Sequence, residues 1–180
     1  MARLSWVQRL YWRYLSKPVA HRALYNYVIE NPIASILEIG MGTGDRIRTL
    51  LSLYQLSPGA QQLRYAAVDP FESVGSSVPH MSLKGAHRIL SENGVKANLI
   101  PGDVMSGISR VAHTVLPSDL VVIDGNWNAQ TPESELIERW LPRLCHRNSV
   151  IFASQTIGDV LVRVPTPGNA IPGATVTKAA

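Results

Sequence analysis

The chain has 180 residues, 46% of them hydrophobic and 17% charged, which is enough apolar content for one buried core and too much for a disordered segment. A formal charge of +4, much of it in the first 22 residues, permits an acidic partner without requiring one. The single cysteine, Cys145, excludes an internal disulfide and fits a reducing cytoplasm; beside Leu144 it reads as a buried, inert thiol.

No apolar run reaches the ~18 residues of a membrane span, and arginines interrupt the place of a secretory signal, so a cytoplasmic protein is expected. In "MARLSWVQRLYWRYLSKP" the pairs Trp6/Val7, Leu10/Tyr11 and Tyr14/Leu15 recur every four residues, which predicts one helical stripe ending near Pro18. Arg9, Arg13 and Lys17 form its basic flank. A second short helix is predicted in "VAHRALYNYVIE", with Ala23, Leu24, Tyr27 and Val28 inward. Residues 1–31 thus read as a helical extension and 32–180 as the main domain.

From residue 35 short apolar runs alternate with helical patterns. The runs are "SILEIG", "RYAAVD", "ANLIPGD", "DLVVIDG" and "SVIFAS". Between the first two, Ile47, Leu50, Leu51 and Tyr54 share a face. The next helix is carried by Leu83, Ala86 and Leu90 and closes on Gly94. "VMSGISRVAHTVL" forms a less regular one. The last starts on Thr131 as N-cap with Pro132 in the first turn, and buries Leu136, Ile137, Trp140 and Leu141. This alternation predicts a doubly wound α/β fold, its mostly parallel sheet covered on both faces. Only "QTIGD" separates the fifth run from "VLVRVP", too short for a parallel return, so that strand is expected to pair antiparallel with the fifth. The usual crossover helix is then missing or shortened. "ATVTKA" reads as a last edge strand.

Each of the first four strands ends on an acid: Glu38 with Gly40, then Asp69, Asp103 and Asp124. In an open parallel sheet this rim is where ligands bind. Gly40, Gly42 and Gly44 spell G-x-G-x-G, and Asp45 stands where a dinucleotide fingerprint needs its last glycine. No lysine makes it a P-loop. An acid at that helix start discourages a pyrophosphate, so the loop suits a nucleoside without phosphates. Asp69, 25 residues after Gly44, is placed to bind ribose hydroxyls.

"LEIGMGTG", "YAAVDPFE", "NLIPGDV", "DLVVIDGNWN" and "WLPRLCHRNSVIFAS" occur in that order, and the series resembles the motifs of the class I S-adenosylmethionine-dependent methyltransferases over residues 20–155. The resemblance implies that the backbone of Gly40, Met41, Gly42 and Gly44 lines the methionine part of that cofactor, with Glu38 near its ammonium group. It implies that Asp69 takes the ribose, Asp103 and the Val104 backbone the adenine edge, and Asp124 the region of the sulfonium. Pro70 and Phe71 either pack on the adenine face or pack as ordinary rim residues.

Methyl transfer needs alignment first, and a base only if the acceptor loses a proton. Asp124 is the best-placed carboxylate for that, or else orients its loop. His80, His87, His113 and His146 read as exposed or packing residues. Relatives often carry further metal-binding acids after strands four and five, whereas this chain has Gly125-Asn126-Trp127 and Ser154-Gln155, so no catalytic metal is expected. Asn126 and Trp127 are candidate acceptor-side residues, with Trp127 an aromatic wall or a packing residue. The N-terminal helix has three readings: a lid over the rim, a segment that packs away from the site or mediates a homodimer, or one lying on an anionic membrane surface. No nucleic-acid module is recognisable. The leading expectation is methyl transfer to a small molecule at oxygen. A cofactor-binding protein with little catalysis is the alternative, and a nicotinamide oxidoreductase is disfavoured by Asp45.

Overall fold

The polypeptide, seen in a computed structural model, is described for residues 5–55, 62–72, 80–128 and 130–167. Ser5 opens helix α1 (Trp6–Leu10) with a capping box to Gln8. The next turn, Tyr11–Leu15, widens to π-helical spacing and stops at extended Ser16, two residues earlier than the sequence pattern predicts. Ser16 is buried and donates its hydroxyl to the Trp12 carbonyl at 2.6 Å.

A single 3₁₀ turn (Val19–His21) leads into α2 (Arg22–Glu30). Its buried positions are Leu24, Tyr25, Val28 and Ile29. The expected inward face is therefore corrected by one position: Ala23 is exposed and Tyr25 buried, while Tyr27 is half-buried. Tyr25 is drawn in because its ring receives Trp12 edge-on at 5.8 Å. Tyr27 leans instead on Phe152 and the Arg163 guanidinium, each 5.7 Å from its ring centre.

The rest is β1 (Ser35–Ile39), α3 (Asp45–Gln55), β2 (Arg64–Asp69), α4 (Leu83–Glu92), β3 (Lys96–Pro101), α5 (Val104–Thr114), β4 (Ser118–Ile123), α6 (Pro132–Leu144), β5 (Cys145–Ala153) and β6 (Val162–Val164). The strands form one sheet in the order β3-β2-β1-β4-β5-β6. All neighbours are parallel except β5 and β6, which pair antiparallel through Ile151 with Val164 and Ala153 with Val162. The doubly wound sheet and its antiparallel end follow the sequence expectation. "ATVTKA" lies outside the described residues.

Successive residues of a strand point to opposite faces, so two cores form. Ile36, Tyr65, Leu120 and Val122 pack with α2, α3 and α4. Leu37, Val68, Val121 and Ile123 pack with α5 and α6. Ile137 and Leu141 of α6 are buried, and Leu136 and Trp140 half-buried. Thr131 caps α6 with Pro132 at its start, and Gly94 leaves α4 with φ +69°, both as expected. Cys145 is buried, and burial pushes its thiol up to about 12.

The strand order reverses between β1 and β4, so the rim there opens into a crevice. On the opposite face α5 lies close to β2. A Cβ on Gly107 would come within 2.4 Å of Val68 Cγ1, and Val68 cannot swing away because β-branched side chains are stiff. Gly107→Ala should therefore destabilise the protein by about 1–2 kcal/mol, the cost of overpacking exceeding the ~1 kcal/mol gained in helix propensity. A urea midpoint lowered at unchanged slope would register it; an unchanged or raised midpoint would refute the close packing.

Candidate functional site

Two of the rim acids, Glu38 and Asp124, converge on one side chain outside the quoted motifs. Arg46 is the second residue of α3 and is buried. Its Nε donates to Glu38, its Nη1 donates to Asp124 Oδ2 at 2.7 Å, and its Nη2 donates to the Gly40 carbonyl. Glu38 is fully buried and its other oxygen accepts the Tyr65 hydroxyl. The resemblance places Glu38 beside a cofactor ammonium. Here a cation of the chain itself, Arg46, holds that carboxylate.

Burial raises the Glu38 pKa against the pull of Arg46 and Tyr65. Burial likewise opposes the charge on Arg46, but Glu38 and Asp124 together raise its pKa and keep it a guanidinium. His21 approaches from the N-terminal segment, with Nε2 3.4 Å from Arg46 Nη1 and Nδ1 3.2 Å from the Tyr25 hydroxyl. Burial first, and Arg46 second, lower its pKa to about 4, so it is neutral at pH 7.

Asp124 follows β4. Its Oδ1 accepts the Gly158 N–H at 2.9 Å and the Ser154 hydroxyl at 3.2 Å, and Ser154 Oγ accepts the Gly125 N–H. A cleft of about 480 Å³ opens beside this network, walled by Lys17, His21, Gly42, Arg46, Asp124 and Gly158 among others. The N-terminal segment, the glycine loop and the loop after β5 thus share one cavity. Leu161 N–H donates to the Ala20 carbonyl at 2.9 Å and joins two of them.

Asp69 ends β2 and is buried. Gly42 N–H donates to its Oδ2 at 2.9 Å; Phe71 N–H at 2.7 Å and His80 Nδ1 at 2.9 Å reach its Oδ1. Met81 N–H donates to the Gly42 carbonyl at 2.8 Å, and its methyl lies 2.1 Å from where a Gly44 Cβ would stand. Gly40 and Gly44 adopt φ +85° and +79°, a region a side chain would strain.

The other candidate residues take the following positions. Phe71 has φ +52° and is 2% exposed, its ring in the core beside α3 and α4 rather than at the rim. Met41 is buried in the same core, so only its backbone belongs to the loop. Asp103 follows β3 and is exposed. It caps α5 through Ser106, whose hydrogen bonds lower its pKa, and Val104 is the first residue of that helix. Pro70 is half-buried. Asn126 has φ +59° and donates its N–H to Gln155. Trp127 packs partly on the α5–α6 core and lines a different cleft of about 400 Å³ with Ser154, Gln155 and Asp159. His80 packs at the rim with its Nδ1 on Asp69. Arg46 had a visible signal: it precedes Leu50 by four residues and so lies on the buried stripe of α3.

Arg46→Met should destabilise by about 3–5 kcal/mol, because it strands Glu38 as an unpaired buried carboxylate. Adding Glu38→Gln should recover part of that loss, as denaturant titration of the single and double variants would show. No recovery would mean the two side chains are not coupled. His21 gives a pH effect. Its folded pKa, about 4, lies below the unfolded 6.5, so the unfolded chain binds more protons between those values. Stability should fall as pH drops from 6.5 to about 4, and His21→Gln should remove that part of the slope.

No protein-family model and no curated protein matches the chain. Solved structures do. The TDP-rhamnose 3'-O-methyltransferase CalS11 of calicheamicin biosynthesis is similar at 16% identity and a TM-score of 0.54, over 83% of this chain and 64% of that one. A Staphylococcus aureus protein provisionally assigned as a caffeoyl-CoA O-methyltransferase gives 15% and 0.53, over 78% and 58%. The O-methyltransferase TomG of Streptomyces achromogenes, solved with its cofactor, gives 19% and 0.50, over 78% and 56%. The chain therefore spans less than two thirds of each of these proteins. Strand order, the glycine loop at the reversal point and these likenesses agree that the chain has the class I S-adenosylmethionine-dependent methyltransferase fold.

Proposed function

We propose that the protein transfers a methyl group from S-adenosylmethionine to a small-molecule acceptor, at oxygen and without a divalent metal. The observation that carries this reading is the buried Asp69 carboxylate at the end of β2, joined to the glycine loop through Gly42 N–H. The residues present fit the cofactor in two places. Gly42 lines the cleft at φ +61° with nothing within 4 Å of a would-be Cβ, which leaves an open backbone cradle. On Asp69, the side chain now hydrogen-bonded is His80, whose place a pair of ribose hydroxyls would take. Asp45 also lines the cleft and disfavours a pyrophosphate there.

When bound, the cofactor supplies a methyl group already activated by a cationic sulfur. What remains for the chain is alignment. Arg46 fixes Asp124, and Asp124 fixes the Ser154–Gly158 loop, so the far wall of the cleft is rigid. Asp124 faces the cleft with both oxygens oriented, where it can accept a hydrogen bond from an acceptor hydroxyl. A guanidinium 2.7 Å away disfavours a divalent ion on that carboxylate. Lys17, Pro18, Ala20 and His21 also line the cleft, which supports a lid role for the N-terminal segment in acceptor choice. A second reading, cofactor binding without turnover, is favoured by the engagement of both Asp124 oxygens with the protein's own donors.

S-adenosylhomocysteine should bind in calorimetry and NAD should not. Asp69→Ala should weaken that binding tenfold or more, since a charge-assisted hydrogen bond contributes ~1.5–3 kcal/mol. Unchanged affinity in a folded variant would remove the ribose assignment. Binding without methyl release across an acceptor panel would favour the second reading.

A further inference from the structure

One segment exposes an unusual amount of apolar surface. Trp6 is 73% exposed, Val7 56%, Leu10 45%, Tyr11 49%, Tyr14 59% and Leu15 67%. Trp6, Leu10 and Tyr14 form one row along the helical segment, and Val7, Tyr11 and Leu15 form the row beside it. The segment is nonetheless docked: Trp12 packs edge-on against buried Tyr25, and Arg22 donates to the Ser16 carbonyl at 3.0 Å. The outward rows are thus a fixed feature of the surface, and a contiguous apolar patch of this kind marks an interaction site.

Charge says what covers it. The first 29 residues hold five lysines and arginines and no acid, so the other 151 carry a net −1. Arg13 is exposed with its guanidinium 6.0 Å from the Tyr14 ring, and Lys17 is exposed just beyond. The first acid, Glu30, borders the groove beneath Trp6, Leu10 and Tyr14. From this we infer that Trp6–Leu15, with its basic flank, docks on an anionic lipid surface. The apolar rows enter the headgroup boundary while the cations meet lipid phosphates.

From Trp6 to Leu15 the segment is about 15 Å long, half the ~30 Å of a bilayer core, so it lies in the surface plane. A second copy is the weaker occupant, because a two-fold contact would set the same basic segment against itself. Nucleic acid would engage the cations and leave the apolar rows uncovered. Lys17 also borders the cleft, so a docked surface lies beside its mouth.

The test is sedimentation of the full chain with vesicles of phosphatidylcholine alone or mixed in equal parts with phosphatidylglycerol. Binding to the anionic vesicles should be at least tenfold stronger and should fall as salt rises. It should drop at least tenfold in Arg13→Glu and in a Trp6→Ser, Leu10→Ser, Tyr14→Ser variant, with the circular dichroism spectrum unchanged. Equal binding to both vesicle types, or full binding by the triple variant, would overturn the inference. So would a wild-type dimer in light scattering that the triple variant turns into monomer, or tighter binding to an oligonucleotide than to anionic vesicles.

Discussion

The buried guanidinium of Arg46 is the contact on which the rim depends. At the reversal point of the sheet β1 and β4 lie side by side while the helices that follow them pack on opposite faces. Arg46 reaches from the start of α3 to both strand ends and to the backbone between them. A planar fork with five donors can hold two carboxylates and a carbonyl at once, which an ammonium on a flexible stem does less well. The two carboxylates are in turn what make a charged side chain tolerable at that depth.

From that clamp the order spreads outward. Asp124 passes it to the loop after β5 through Gly158 and Ser154, and that loop is tied to the N-terminal segment through Leu161 and Ala20. His21 returns from that segment to Arg46 itself. The short antiparallel return of β6 keeps this ring compact: the loop between β5 and β6 separates the cleft of Arg46 from that of Trp127.

Much of this architecture is legible in the sequence. Parallel strands buried on both faces read as apolar runs, and the capping residues Thr131, Pro132 and Gly94 fall where their backbone preferences place them. The acids at the strand ends are also legible as a row. Their partners are not, because periodicity reports which side of a helix is buried and not whether a cation lies on it. The spacing of Arg46 from Leu50 puts it on the buried stripe of α3 but does not say which acids it meets there. His80 lies 11 residues from Asp69, with no spacing rule to join them. Phe71 reads as a rim aromatic because it follows the β2 acid, yet a left-handed turn sends its ring into the core. Tyr25 turns inward because Trp12, from another helix, covers it.

In the proposed function the glycine loop and Asp69 form one half of a nucleoside site, with Arg46 bracing the residues beside it. A crystal structure of the chain grown with S-adenosylhomocysteine tests it most directly. The expected result is a ribose whose hydroxyls lie on the Asp69 carboxylate, His80 displaced from it, and Arg46 still spanning Glu38 and Asp124. A ligand bound elsewhere, with Asp69 still holding His80, would contradict it.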